Sequence, residues 1–256
     1  MARNRHPVGQ VALRLACFFL MIGAIDSAIA SSLVLTPLRL SLTTERPVEV
    51  LTVRNDGDEP AVMQLDLAKW TQADGKDIYT ATTDILATPP IFSVPAHGSH
   101  LVRVGLRRGA DPTLELSYRM FLEEVPPPPK PNFTGLRVAL RFGVPIFVAP
   151  LAISDRQSLP LPLPLQWQMR AAAGQFALRA TNDGAMHVLV TNVSLTSQGT
   201  NAPLVRITGT DYVLPGQSRD WIVNLERTPI PGASFHIVAA TDAGTSEANG
   251  ILPSSP

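Results

Sequence analysis

The chain of 256 residues is 45% hydrophobic and only 16% charged, with 24 prolines. That describes a folded, loop-rich protein with length enough for two domains and a core in each, and it excludes a disordered or coiled-coil chain. Its 21 basic and 21 acidic residues balance, so no nucleic-acid partner is indicated, since that would need a basic face.

The chain opens with Arg3, Arg5 and Arg14 ahead of an apolar run from Leu15 to Ile25, followed by the small residues Ala28-Ile29-Ala30. This is the layout of a secretory signal peptide over residues 1–30, cleaved after Ala30, which marks the chain for export. The rival, an uncleaved membrane anchor, needs a longer apolar run, and Asp26 interrupts this one. Cleavage takes three cations and one acid from the balanced 21 and 21, leaving a net charge of −2. Cys17 is the one cysteine and lies inside the apolar run, so the exported chain must hold its cores by packing, without disulfides.

Beyond residue 30 the pattern is all-β. Apolar and polar residues alternate in "PVEVLTVRN", in "AVMQLDLAKW" (Met63, Leu65 and Leu67 against Gln64 and Asp66), in "SHLVRVGL" and in "LELSYRMFLEEV". Turn-forming stretches separate them: "NDGDEP", "ADGKD", "PAHGS" and "RRGADP". The proline run Val125–Pro131 leads into "LRVALRFGVPIFVAP", where Leu136, Val138, Leu140, Phe142, Val144, Ile146 and Val148 line one face of a long strand. After Pro150 the pattern restarts in "QFALRATNDG", "MHVLVTNVSL", "DWIVNLE" and "SFHIVAA". An Asn-Asp-Gly turn follows a strand in each half, at Asn55-Asp56-Gly57 and Asn182-Asp183-Gly184. The expectation is two tandem immunoglobulin-like β-sandwich domains, residues 31–150 and 151–256. The alternating prolines of "LPLPLPLQW", Leu159–Trp167, place that segment at an edge or outside a sheet.

Catalytic and cofactor signatures are not evident. His97 and His100 in "HGSH" have a metal-compatible spacing but no cysteine or acidic cluster beside them, and a surface turn entering a strand explains them better. No nucleophile elbow or phosphate-cradling glycine loop occurs. Glu123 and Glu124 are neighbours on a strand, so they point to opposite faces and cannot act as an acid pair. No enzyme, cofactor or metal is expected, although distant residues converging in the fold would escape such a reading.

Read whole, the first domain is similar to the PapD-like periplasmic chaperones of the chaperone–usher pilus pathway. "LRLSL", "VLTVRNDGDEP", "TPPIFSVPAHGSHLVRV", "ELSYRMFLEEVP" and "PIFVAP" follow one another in the family's order, and "TPPIFSVPAHGSHLVRV" is the most specific. Weaker matches, "LRATNDGAMHVLVTNVSL" and "VLPGQS", carry the resemblance to about residue 240. Thr88-Pro89-Pro90 also suggests a cis peptide.

The resemblance implies a chaperone that lends a strand to pilus subunits with incomplete sandwiches and delivers them to an outer-membrane usher. Aligned on Pro150, the family's donor positions fall on Leu136, Val138 and Leu140, with Phe142 a fourth. For Val144, Ile146 and Val148 the preferred reading is that they cap the protein's own core. The family's first anchor for the subunit's C-terminal carboxylate falls on Arg39. Its second, a lysine, falls on Pro145, and its arginine before the closing proline falls on Ala149. The "VPIFV" ending looks like the divergent archaic branch, and the short cysteine-free loop "PPPPKPNFTG" resembles the short-loop chaperones. Arg137 and Arg141 are read as facing the wrong way to replace the lysine, unless a bulge at Gly143 re-aims them. A second copy, capping the donor strand in a homodimer, is a further partner to consider. The alternative function is a secreted two-domain structural or adhesive surface protein.

Overall fold

The computed structural model describes residues 33–128, 138–152, 165–172, 175–197, 203–223, 232 and 234–251. The signal-peptide segment and Leu136 lie outside them, as does Leu159–Pro164 of the proline-rich stretch. In chain order the strands of the first half are β1 (Leu33–Thr36), β2 (Leu40–Leu42), β3 (Val48–Asn55), β4 (Ala61–Ala73), β5 (Lys76–Ala81), β6 (Ile85–Thr88), β7 (Ile91–Val94), β8 (Ser99–Leu106), β9 (Leu116–Glu124) and β10 (Arg141–Val148). The second half comprises β11 (Leu165–Ala172), β12 (Gln175–Asn182), β13 (Val188–Ser197), β14 (Pro203–Val213), β15 (Ser218–Val223), β16 (Ser234–Thr241) and β17 (Gly244–Ile251).

The first half folds as two facing sheets, β1-β3-β8-β6 and β2-β10-β9-β4-β5, with β7 also paired to β4. Period-two alternation makes each sheet apolar on one side, and those sides meet. Leu51, Val53, Val102 and Val104 face Met63, Met120, Leu122, Val144, Ile146 and Val148 in one buried cluster. The chain crosses from one sheet to the other between β1 and β2, at a cis Thr36–Pro37 bond, and between β6 and β7, at the cis Thr88–Pro89 bond. The second half repeats the design with sheets β11-β12-β15 and β14-β13-β16-β17, around Leu178, Val193, Leu195, Phe235 and Ile237. These are two tandem immunoglobulin-like β-sandwich domains.

The paired Asn-Asp-Gly turns have one chemistry. Asn55 is buried, accepts a bond from the Gly57 N–H at 2.9 Å and donates from Nδ2 to the carbonyls of Glu59 and Val94. Asn182 does the same with Gly184, Met186 and Val213. Between β4 and β5, Asp74 and Gly75 both take positive φ, 50° and 73°, as a tight two-residue hairpin turn demands.

The two domains are joined by a small apolar and polar contact. Trp70, Phe147 and Leu214 form a buried cluster flanked by Tyr212, and His187 stacks on Phe147 with ring centroids 3.5 Å apart. His187 also pairs with buried Glu115. Gln72 bridges the junction, donating to the Tyr212 carbonyl at 2.7 Å and accepting from the Leu214 N–H at 3.0 Å. Beside it Asp77 meets Arg219 at 2.6 Å. The run Val144–Val148 is buried at every position because one face fills the first core while Phe147, on the other, fills this junction.

Candidate strand-binding edge and its basic row

β10 is bonded along its length to β9, in unbroken antiparallel register from Arg141↔Glu123 to Val148↔Leu116. On its other side β2 covers only Ile146–Val148, in parallel. Among the described residues no strand pairs with that side over Val138–Pro145. The parity of the bonds is fixed at both ends: the Glu124 N–H donates to the Leu140 carbonyl on the β9 side, while the Ala149 N–H donates to Leu42 on the β2 side. Successive residues point their backbone groups to alternate sides, so Arg141 and Gly143 present theirs to the open side. Pro145 falls on this side too, where its missing N–H costs no bond to β9.

Val138 is 63% exposed. Leu140 is half-buried and tied to Glu124, whose carboxylate accepts from its N–H at 3.3 Å. Phe142 is half-buried against the first core, whereas Val144, Ile146 and Val148 are within that core. Apolar cover thus diminishes stepwise from Val144 towards Val138, which precedes the strand.

The opposite face of β10 carries Arg141, Gly143, Pro145 and Phe147, and Phe147 at the domain junction shows that this face looks into the cleft. Arg141 therefore shares a face with Pro145 by simple alternation, and the unbroken register leaves no bulge at Gly143. The reading that Arg141 faces the wrong way is corrected on both points. The family lysine's position and Arg141 are an even number of residues apart, which places them together. Arg141 is bound to Glu123 at 2.7 Å and lies over the Phe121 ring.

Arg39 immediately precedes β2. Leu40, the partner of Ile146, points into the core, so Arg39 points the other way, and extending the register by one residue sets it beside Pro145. Its guanidinium meets Asp242 of the second domain at 3.3 Å, across the cleft. On the other side of Pro145, in register, stands Arg119 of β9, held with its guanidinium carbon 4.9 Å above the Trp70 ring. One row thus reads Arg39, in the bend just ahead of β2, then Pro145 and Arg119. Sequence reading singled out Arg39 and not Arg119, because only the β9–β10 register brings Arg119 opposite Pro145. The junction residues Trp70 and Phe147 were missed as well, although "VPIFV", apolar at consecutive positions, is the mark of a strand covered on both faces.

The two histidines serve local structure. His97, at positive φ, pairs with Asp58 at 3.0 Å, and His100 stacks on Phe92.

A two-domain immunoglobulin-like protein with an open edge beside its interdomain cleft is the class that this geometry defines. The family described as "Pili and flagellar-assembly chaperone, PapD N-terminal domain" matches residues 32–154, and "Pili assembly chaperone PapD, C-terminal domain" matches residues 161–250. The chain belongs to the PapD family of pilus-assembly chaperones. No curated protein sequence matches it. Among solved structures, the fold is similar to the CsuC–CsuE chaperone–tip subunit pre-assembly complex of the archaic Csu pili of Acinetobacter baumannii, with a TM-score of 0.65 and 19% identity over 87% of this chain and 98% of that one. It is also similar to the YadV chaperone, at 0.59 and 21% over 86% and 99%. The Salmonella enterica SafB chaperone, solved with the SafA pilin, gives 0.56 and 21% over 87% and 97%.

Proposed function

We propose that this chaperone works in the periplasm, after signal-peptide cleavage, and captures pilus subunits on the open side of β10, completing their sandwiches by strand donation. The observation that carries the reading is the edge of β10 left unpaired by the described strands over Arg141–Pro145, with exposed Val138 ahead of it, beside a cationic cleft. Similarity to chaperones solved with a tip subunit and with a pilin supports it. An edge of this kind is a hazard unless something covers it. Burial of Val138, Leu140 and Phe142, with Leu136 beyond them, would contribute roughly 1.5–3 kcal/mol per side chain before ordering costs.

Direction follows from β2. A captured strand occupying the open side in the same parallel sense runs towards the start of β2 and ends against Arg39, so its terminal carboxylate meets a guanidinium, the group best shaped to bind one. An antiparallel strand would bring an ammonium there instead. While no subunit is bound, a second copy of the chain can cap the same edge as a homodimer.

Release at an outer-membrane usher needs a surface that the subunit leaves uncovered. The outer face of β1-β3-β8-β6 offers Val34, Val50, Leu86 and Leu101, all exposed, on the opposite side of the sandwich from the cleft. Substituting Val50→Glu with Leu101→Glu should leave subunit capture unchanged and abolish surface pili. Loss of capture itself would place this face in the subunit site.

The test of the main reading is a pull-down of tagged protein from its native host's periplasm, with the Val138→Asp, Leu140→Asp variant beside it. Recovery of a secreted sandwich subunit by the wild type alone is the expected result. Equal recovery by both moves the binding surface elsewhere. No partner for either, with pilus genes expressed, favours a structural or adhesive role.

A further inference from the structure

We infer that Glu115 and His187 form a pH-sensitive latch between the domains, which holds Phe147 of β10 in place and makes strand capture firmer in mildly acidic than in mildly alkaline surroundings. The inference rests on the strand-capture reading above and concerns its regulation. Glu115 lies in the first domain, directly ahead of β9, and His187 in the second, directly ahead of β13. The Glu115 carboxylate accepts from the His187 backbone N–H at 3.0 Å and faces the imidazole Nδ1 at 2.5 Å. The Glu115 N–H donates to the Ala185 carbonyl at 2.8 Å. Both side chains are sealed from water, at 2% exposure for Glu115 and 1% for His187.

A buried carboxylate needs a counter-charge, and the imidazole supplies it when protonated. The contact is then a charge-assisted bond, whereas a neutral ring leaves the carboxylate with hydrogen bonds alone. The faces of the ring are uncharged: Phe147 stacks on it at 3.5 Å, and Tyr212 of β14 meets it at a steep angle at 5.3 Å. Charged groups on the surrounding elements have other engagements. Asp111, in the loop of Glu115, caps Thr113 and Leu114, Arg119 of β9 lies over Trp70, and Arg141 of β10 holds Glu123. Asp211, beside Tyr212, holds Arg219, Asp242 binds the Leu189 N–H and Arg39, and Asp183 is exposed in the turn ahead of His187. Because the carboxylate favours the imidazolium, the stabilisation is fully present below the unfolded histidine value of about 6.5. It is lost as pH rises through the higher value of the folded state. Phe147 lies two residues beyond Pro145, within the stretch where β2 covers β10, so a loosened latch frees the ring that roots this strand at the junction.

The test compares the wild type with Glu115→Gln, which keeps the shape of the contact and removes its charge, from about pH 5.5 to about pH 8.5, the window in which histidine titrates. In thermal unfolding of the free protein, the wild type should exceed Glu115→Gln at the acid end, with the difference shrinking as pH rises. Asp77, held below the ordinary carboxylate range, stays ionised throughout, and the remaining histidines are common to both proteins. Dissociation of the complex with the subunit identified in the pull-down should quicken roughly five- to tenfold more for the wild type than for Glu115→Gln across the window, a factor of ten being the worth of one pKa unit. Equal pH dependence of the two proteins in either measurement overturns the inference. If Glu115→Gln does not fold, NMR titration of the His187 ring in the wild type decides: a ring protonated at the acid end and neutral at the alkaline end upholds the latch, and one that stays neutral throughout overturns it. If the Val138→Asp, Leu140→Asp variant keeps the subunit as firmly as the wild type, strand capture itself has failed and regulation of capture falls with it, while the unfolding curves of the free protein still decide whether the latch exists.

Discussion

Asn55 and Asn182 sit at equivalent places in the two domains, each buried at the end of a strand and each closing the turn that follows it. Their side chains donate to the carbonyls of Glu59 and Val94 and of Met186 and Val213, so removal loses buried hydrogen bonds. Asn55→Ala and Asn182→Ala should each cost about 1–3 kcal/mol, read as a lower midpoint in urea unfolding. Phe147→Ala acts on a different structure. It empties the space between Trp70, His187 and Tyr212, and should cost about 3–5 kcal/mol in the same measurement.

At the scale of the element, β10 changes character along its length. Its end lies in the core, where Ile146 is fully buried, and its approach is exposed at Val138. Ile146→Asp should therefore prevent folding, since an unpaired charge enters an apolar core. Val138→Asp should leave the unfolding free energy within about 0.5 kcal/mol of the wild type while removing subunit binding. Unfolding curves of the two variants, compared with pull-down recovery, make the check. The alternation in "LRVALRFGVPIFVAP" made the apolar face readable, but the strand itself spans Arg141–Val148, and Val138–Leu140, expected within it, precede it. Where the core ended and the open side began was not readable, since that depends on how far the three-residue β2 reaches along its neighbour. Arg141 shows the same limit. Its face follows from counting, but its engagement by Glu123 follows only from the β9 register.

The whole molecule depends on the junction that gives the cleft its shape. Burial pushes the Asp77 carboxyl up, but bonds from Gln72, Arg219 and Trp70 outweigh it and hold it below the ordinary carboxylate range. A carboxyl depressed in the folded state stabilises it while ionised. That contribution is complete above the unfolded value of about 3.9 and is lost as pH falls through the lower folded value. Asp77→Asn should therefore unfold at a lower temperature than the wild type near pH 7, with the difference shrinking towards pH 3. A difference that stayed constant with pH would deny Asp77 this role. Arg39 and Asp242 span the other side of the same cleft.

The sequence by itself determined the all-β class, the doubled sandwich, the paired asparagine turns and the apolar face of β10, because alternation, turn chemistry and motif order are local properties of the chain. Only the tertiary structure decided that the described strands leave one side of β10 unpaired ahead of Ile146, that Phe147 and Trp70 join the domains, and that Arg119 stands opposite Pro145. Each of these is a pairing between residues distant in sequence, and strand register, which fixes such pairings, is set by the packing of whole sheets and not by any single strand.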